Sequence, residues 1–413
     1  MIKRLLKSTF LFSFIGILSC GNTNHETLNN SENSVASTDT LQSNSEIILG
    51  ANRTREYLPL LKNKKVAIIG NQTSIIKTRK GDYTHLVDSL LSLNINIKKV
   101  FAPEHGFRGT ADAGEIVKDG IDTKTGLPVV SLYGSNKKPS AETLQGIDIL
   151  IFDIQDVGAR FYTYISTLHY IMEAAAENNI PLIILDRPNP NGHYIDGPLL
   201  KKEHSSFVGM HPVPVVHGMT IAEYAQMING ENWLKDGIKA ELNIIALKNY
   251  DHTKSYSLPR KPSPNLPNEK AINLYPSLCF FEGTNVNAGR GTDKQFQVFG
   301  SPYLNQNYYD FSYTPQSKDG ATNPKHLGNK CFGRDLTNSE YLSALNLEWL
   351  IEAYEHTSNK KEFFNSFFTK LAGTKKLQAQ IESGWSLNQI RDSWKEDLSS
   401  YDLMRKKYLL YQL

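Results

Sequence analysis

Five short apolar runs, at 65–69, 97–101, 127–132, 148–152 and 181–185, limit most narrowly what this chain can fold into. Runs this short and this rich in β-branched residues read as buried strands. Helical patterns fill the intervals between them at 83–93, 141–145 and 162–178. In the last of these, Ile165, Leu168, Met172 and Ala175 recur at helical spacing, while Glu173 and Glu177 fall off that stripe. Strands alternating with helices imply right-handed crossovers and a parallel sheet. The expected fold class is therefore α/β, a Rossmann-like layered parallel sheet domain, with 242–247 as a further strand.

Every run also stops at polar chemistry: Asn71, Glu104-His105, Tyr133, Asp153 to Asp156, and Asp186-Arg187. In an open parallel sheet the ligand crevice lies beyond the carboxyl ends of the strands, so these residues are expected to converge on one cleft. A dinucleotide site would need Gly-x-Gly-x-x-Gly directly after the first strand. The chain has Gly70-Asn71-Gln72-Thr73-Ser74 there, and Gly289-Arg290-Gly291 comes far too late to serve. No NAD and no other cofactor is expected.

The 413 residues, 40% apolar and 21% charged, suffice for two ordinary domains. Between 251 and 267 the composition turns to Pro, Ser, Lys and Asn, which marks a boundary. The expected organisation is an export signal at 1–19, a lipidated Cys20 with a tether to 46, a Rossmann-like catalytic domain at 47–250, and a C-terminal α+β auxiliary domain at 251–413 that contributes to the cleft. Helical patterns in the last part lie near 338–356, 361–372 and 387–411. Within the final one, Trp394, Leu398, Tyr401, Met404 and Tyr408 share a face and read as core. Thr220 and Glu223 have capping-box spacing, so Glu223 reads as a helix cap before it reads as a catalyst.

Lys3, Arg4 and Lys7 precede an apolar stretch and then Ile17-Leu18-Ser19-Cys20, the pattern of an export signal ending at a lipidated cysteine. An exported, membrane-anchored lipoprotein facing the periplasm or the cell surface is the expectation. Removing that segment takes three positive charges from a precursor of formal charge +3, so a basic nucleic-acid surface has no support. The polar segment 21–46 reads as a flexible tether. Beyond Cys20 only Cys279 and Cys331 remain, which leaves one disulfide or two buried thiols equally open.

The densest chemistry is Pro103-Glu104-His105-Gly106-Phe107-Arg108-Gly109, followed by Glu115. A carboxyl, an imidazole and a guanidinium between glycines suit a site loop, with a salt-bridged surface loop as the competing reading. Partial burial would raise the Glu104 pKa and fit it to act as a general acid. Arg108 would suit a substrate carboxylate through its two-pronged fork. The second cluster is Asp153, Gln155, Asp156, Arg160 and Tyr162, either a sugar-binding edge or an ion-paired turn. Arg187 and Asn189 follow on a proline-rich strand-end loop, and His217, Asn265, Glu282, Asn285 and Arg290 lie on later loops that resemble a second cleft wall. No His-Glu-x-x-His pattern supplies a metal site, although His105, His217, Asp153 and Asp156 could still meet in space.

Taken together, Gly-Asn-Gln-Thr-Ser (70–74), Ala-Pro-Glu-His-Gly-Phe-Arg-Gly (102–109), Ser-Leu-Tyr-Gly (131–134), Asp-Ile-Gln-Asp-Val-Gly-Ala-Arg-Phe-Tyr-Thr-Tyr (153–164), Asp-Arg-Pro-Asn-Pro (186–190), His-Gly-Met-Thr (217–220), Ser-Pro-Asn-Leu-Pro (263–267), Phe-Glu-Gly-Thr-Asn (281–285) and Gly-Arg-Gly-Thr (289–292) resemble the exo-β-N-acetylmuramidase family of the NamZ type. The resemblance implies a Rossmann-like domain, a C-terminal auxiliary domain and a cleft between them. It also implies removal of terminal N-acetylmuramic acid from the non-reducing end of peptidoglycan fragments, with Glu104 as leading candidate acid. Glu115, Asp153, Asp156 and Glu282 are the candidate partner carboxylates, and the substrate's own acetamido group is another. Arg108, Arg160, Arg187 and Arg290 are the candidates for the lactyl carboxylate, Arg108 and Arg290 first. The competing functions are a non-catalytic lipoprotein that binds cell-wall fragments and a metal-dependent phosphoesterase or amidase.

Overall fold

The structure, a computed structural model, describes residues 46–109 and 119–413. The expected export signal, Cys20, nearly all of the expected tether, and Glu115 lie outside the described residues. In chain order the first part contains α1 (Thr54–Leu61), β1 (Val66–Gly70), β2 (Ile75–Lys77), β3 (Tyr83–His85), α2 (Leu86–Ser92), β4 (Ile97–Ala102), β5 (Gly120–Ile121), β6 (Pro128–Ser131), α3 (Ala141–Leu144), β7 (Ile149–Asp153), α4 (Tyr164–Glu177), β8 (Leu182–Leu185), α5 (Ile221–Gly230) and β9 (Leu242–Ile245). Seven of these strands form one sheet in the order β5-β6-β4-β1-β7-β8-β9. All neighbours pair parallel except β5 and β6.

Register sets the strand ends level. Ile69 pairs with Phe101 on one side and with Phe152 on the other, and Phe152 pairs with Ile184. The chain winds outward from β1 through β4 to β6, then crosses back to β7 and continues to β9. Strand order therefore reverses between β1 and β7, which is where an open α/β sheet opens a crevice. Alternation along each strand fills both faces. Ala67, Ile69, Phe101 and Phe152 join the core with α4 and α5, whereas Val66, Ile68, Val100 and Ile151 join the core with α1 and α2. A strand buried on both faces has no polar side to show, which is why these runs are continuously apolar.

The second part contains α6 (Glu269–Leu278), β10 (Val298–Ser301), β11 (Phe311–Tyr313), β12 (Cys331–Asp335), α7 (Glu348–Glu355), α8 (Phe368–Ala372), α9 (Lys376–Glu382), α10 (Leu387–Asp392) and α11 (Lys395–Arg405). Its strands form an antiparallel sheet in the order β10-β12-β11. Phe280, Phe281, Phe299 and Phe363 belong to the same buried cluster as α4 and α5. The second part is thus packed onto one face of the first.

Several expected boundaries shift. Residues 83–85 pair with β2 instead of starting α2, because His85 caps the helix by accepting the Val87 N–H. Only Glu348–Glu355 of the pattern at 338–356 is helical. The last pattern breaks at Trp394, whose φ of −125° ends α10 before α11 begins. Its apolar face is core nonetheless: Trp394 and Tyr401 are buried, with Leu398, Met404 and Tyr408 packed against them. Thr220 and Glu223 form the full capping box of α5. Cys279 and Cys331 are both buried free thiols. Among the described residues no helix is long and apolar enough to cross a membrane.

Candidate active site

Glu104 follows β4 after a single proline, and the chain turns sharply there because His105 and Gly106 both take left-handed φ values, 70° and 76°. A histidine in that region is strained, a state that persists where surrounding structure enforces it. The turn brings the Glu104 carboxyl between two hydroxyls. Tyr133, just past β6, donates to Oε1 at 3.1 Å, and Thr163 donates to Oε2 at 3.0 Å. Thr163 stands at the N-cap of α4 yet makes no capping bond. A side chain that would ordinarily stabilise its helix by about 1 kcal/mol is instead committed to the carboxyl. Asn71, buried after β1, donates Nδ2 to the Tyr164 hydroxyl at 2.9 Å, and that hydroxyl lies 3.4 Å from the Glu104 main-chain oxygen. Three strand ends and one helix start thus fix one acid.

Beside Glu104 is a cavity of about 330 Å3. Its floor is buried and aromatic, with Tyr162, Tyr275 and Phe296 in edge-to-face contact at centroid distances of 5.9 and 4.9 Å. Ser263 and Asn265 add polar groups to that floor, and the Asn265 Oδ1 is buried with no partner among the described residues. The rim is partly exposed and holds Glu104, Tyr133, Phe207, Val208, Glu282 and Arg290. Burial, and then the Glu104 charge, push the Tyr133 hydroxyl above its ordinary pKa, so it stays a proton-bearing donor. Across the rim Arg290 Nε donates to Glu282 Oε1 at 2.9 Å. Burial pushes Glu282 up, but Arg290 and Lys325 more than offset this and take it below the usual glutamate value. Lys325 itself is held by the main-chain oxygens of Phe281, Thr284 and Val286, which clamps the turn that carries Glu282.

The expected convergence is only partial. Glu104, His105, Tyr133, Tyr162, Asn265, Glu282 and Arg290 line the cavity. The other described candidates do not, and the reasons are physical. Asp153 is fully buried and receives Arg187 Nε at 2.7 Å and a terminal nitrogen at 3.0 Å, so these two satisfy each other. Arg108 donates to Asp122 at 3.1 and 2.7 Å and to Asp88 at 3.2 Å, so its fork is already filled. Arg160 is fully buried and holds the main-chain oxygens of Pro198, Val213 and Leu371 at 2.7 to 2.8 Å. Gln155 bridges the oxygens of Asp156 and Pro188. Asn189 donates to Met219 O and fits over Gly158, whose φ of 78° and lack of a Cβ make room for it.

Asp156 accepts the Gly158 N–H at 2.7 Å and lies 3.4 Å from His217 Nε2, both side chains being buried. Asn285 has a buried side-chain amide with no partner among the described residues, but it does not line the cavity. Among the described residues no three His, Cys, Asp or Glu side chains are arranged to hold a metal ion. Conversely, Thr163, Phe207 and Tyr275 line the cavity and were not singled out from sequence. The signal for Tyr133 was present, since it ends an apolar run. Phe207 carries none, being one aromatic on an irregular loop.

A carboxyl clamped by hydroxyls at the mouth of a sugar-sized, aromatic-floored cavity, on a Rossmann-like sheet without a dinucleotide loop, is the construction of a glycoside hydrolase. Known proteins narrow this further. The N-terminal domain of exo-β-N-acetylmuramidase NamZ matches residues 66–270 and the C-terminal domain matches 273–411. Over 375 residues, 86% of this chain and 89% of the relative, the sequence is 38% identical to peptidoglycan β-N-acetylmuramidase NamZ of Bacillus subtilis (strain 168). The chain belongs to the NamZ exo-β-N-acetylmuramidase family. A crystal structure from Bacteroides fragilis NCTC 9343, described as a member of a family of unknown function, superposes with a TM-score of 0.82 at 46% identity over 89% of this chain and 99% of that one. A second from the same organism gives 0.72 at 27% identity over the same shares.

Proposed function

We propose that this chain removes terminal N-acetylmuramic acid from the non-reducing end of peptidoglycan fragments, with Glu104 as the proton donor. The observation that carries the reading is Glu104 itself, held at both carboxyl oxygens on the rim of a cavity about as large as one acylated sugar. Hydroxyls can donate or accept, so Tyr133 and Thr163 keep the carboxyl oriented whether or not it holds its proton. Glu104 passes that proton to the glycosidic oxygen as the bond to the anomeric carbon breaks, positive charge develops on the sugar ring, and water completes the hydrolysis by bonding to that carbon and giving up a proton. Glu282 is the other carboxylate lining the cavity among the described residues and is kept ionised by Arg290 and Lys325. It is the counterpart that supports this charge. In this division of labour the residues before 251 supply the acid, and those after it supply the charged wall.

Arg290 is the one guanidinium on the cavity among the described residues, and among those residues only its Nε is used for a hydrogen bond. Its two terminal nitrogens match the lactyl carboxylate, the group that distinguishes muramic acid from glucosamine. Asn265 Oδ1, buried with no partner among the described residues, offers an acceptor for a sugar hydroxyl or acetamido N–H.

The test is Glu104→Gln assayed on a muramyl-glucosamine disaccharide. Turnover should fall by about 100-fold or more with the melting temperature little changed. Survival of disaccharide turnover near the wild-type rate overturns the assignment. We further infer, from Lys3 to Cys20, that the chain is exported and anchored through a lipid on Cys20. Incorporation of labelled fatty acid should disappear in Cys20→Ser, and equal labelling of both proteins would exclude the anchor.

A further inference from the structure

The hydrolysis proposed above leaves one partner without a site. Once the enclosed space holds the muramic acid, the departing sugar must lie outside it, at the rim and on the side of the acid that protonates the shared oxygen. The rim beside Glu104 is aromatic. Tyr133, whose hydroxyl reaches the carboxyl at 3.1 Å, meets Phe207 edge-on at a centroid distance of 6.5 Å and an interplanar angle of 62°. The two rings form a bent aromatic wall on the same rim as the acid.

Phe207 is not part of the hydrophobic core. Its neighbour Val208 leans on the main hydrophobic cluster, whereas Phe207, Tyr133 and Tyr170 belong to none of the core clusters. Yet the ring is well supported. Ser206 and Gly209 close a tight turn around it through paired main-chain hydrogen bonds of 2.8 and 3.0 Å. Tyr170, on α4, stacks against it at 6.3 Å and 18°, and the Lys137 ammonium sits 4.8 Å from its centroid. A partly exposed aromatic with a fixed orientation, outside the core and next to the acid, is a surface for the C–H face of a sugar. Lys137 adds a donor for its hydroxyls.

We propose that Tyr133 and Phe207 form the leaving-group subsite, which takes the N-acetylated hexosamine that the reaction releases. The inference rests on the muramidase reading and deepens it. Two substrates separate the claims: a muramyl-glucosamine disaccharide, whose aglycone reaches the wall, and muramyl β-fluoride, whose aglycone is a single atom. In Phe207→Ala, kcat/KM for the disaccharide should fall at least tenfold further than for the fluoride, and Phe207→Tyr should recover most of the difference. Free N-acetylglucosamine should inhibit the wild type and inhibit Phe207→Ala at least tenfold more weakly. Equal losses on both substrates, or no loss on the disaccharide, overturn the subsite while leaving the muramidase reading intact. Should Phe207→Ala fail to fold, Lys137→Ala and Phe207→Leu carry the same comparison. A wild type that cleaves neither substrate removes the functional reading itself, and the subsite with it.

Discussion

Replacing Asp153 by Asn tests whether the buried pair at the end of β7 is a prop or part of the chemistry. Asp153 is completely buried and Arg187 is 3% exposed, and they share two hydrogen bonds of 2.7 and 3.0 Å. Burial alone would lower the Arg187 pKa, but the Asp153 charge and these bonds more than offset it, so the guanidinium is firmly charged. In Asp153→Asn it loses its counter-charge and keeps only Ile75 O, at 3.1 Å, as a further acceptor. Breaking one side of a buried pair costs about 3–5 kcal/mol. For the unit Ser45–Leu413, an unfolding entropy of about 2.1 cal/mol/K per residue converts this to a fall of roughly 4–6 °C in melting temperature. Exchanging both partners for apolar residues, Asp153→Leu with Arg187→Met, should recover most of the loss, because neither charge is then stranded. Thermal unfolding followed by circular dichroism gives the stabilities, and disaccharide hydrolysis at 25 °C gives the activity of the folded fraction. A single variant that melts within 1 °C of wild type while losing hydrolysis about 100-fold would refute this reasoning and return Asp153 to the mechanism.

Asp186 accepts bonds from Thr220, Ala222, Arg187 N–H and Tyr411, yet burial pushes its carboxyl up to about 7. The folded state therefore binds the proton more tightly than the unfolded one, and this group's contribution to stability is present below pH 4 and lost as pH rises towards 7, by at most about 4 kcal/mol. Urea titrations at pH 5 and 7.5 should give a smaller loss of stability with rising pH in Asp186→Asn than in wild type, and identical slopes would exclude the effect. Tyr133→Phe should lower kcat on the disaccharide about tenfold while moving stability by less than about 1 kcal/mol, since one hydrogen bond is worth about 0.5–1.5 kcal/mol and the residue is partly exposed; an unchanged kcat would detach it from Glu104. Arg290→Met should cut kcat/KM for a muramic substrate at least tenfold more than for the matching glucosamine glycoside. Arg160→Met should destabilise by about 3 kcal/mol or more, because three main-chain oxygens lose a donor, without altering that substrate ratio. A ratio that moved with Arg160 and not with Arg290 would reverse the assignment.

The sheet was legible because its strands obey a rule that needs no tertiary knowledge. Strands buried on both faces must be apolar throughout, and their level carboxyl ends must hold whatever the crevice uses. The antiparallel β10-β12-β11 sheet and the β2-β3 hairpin escaped. Strands as short as Ile75–Lys77 and Phe311–Tyr313 leave too few positions for an alternation to register. The break in the last helix escaped for another reason: Trp394, Leu398 and Tyr401 keep helical spacing across it, so the buried stripe survives a change in the backbone.

The site was legible in its location and much less so in its membership. Charge and polarity at a strand end mark a residue as unable to face the core unaided, and two solutions meet that requirement: a ligand, or another residue of the chain. Asp153 with Arg187 and Arg108 with Asp122 and Asp88 take the second solution, and Arg160 takes it with main-chain oxygens alone. Sequence cannot separate the two, because each partner lies 14 or more residues away and the pairing exists only after the loops have closed. Among the described residues the cleft itself keeps Glu104, which accepts from the Tyr133 and Thr163 hydroxyls, and Arg290, whose bond to Glu282 uses only one of its three nitrogens. On the muramidase reading proposed above, these cavity-lining groups, and not the most charged segments, carry the chemistry of the cleft.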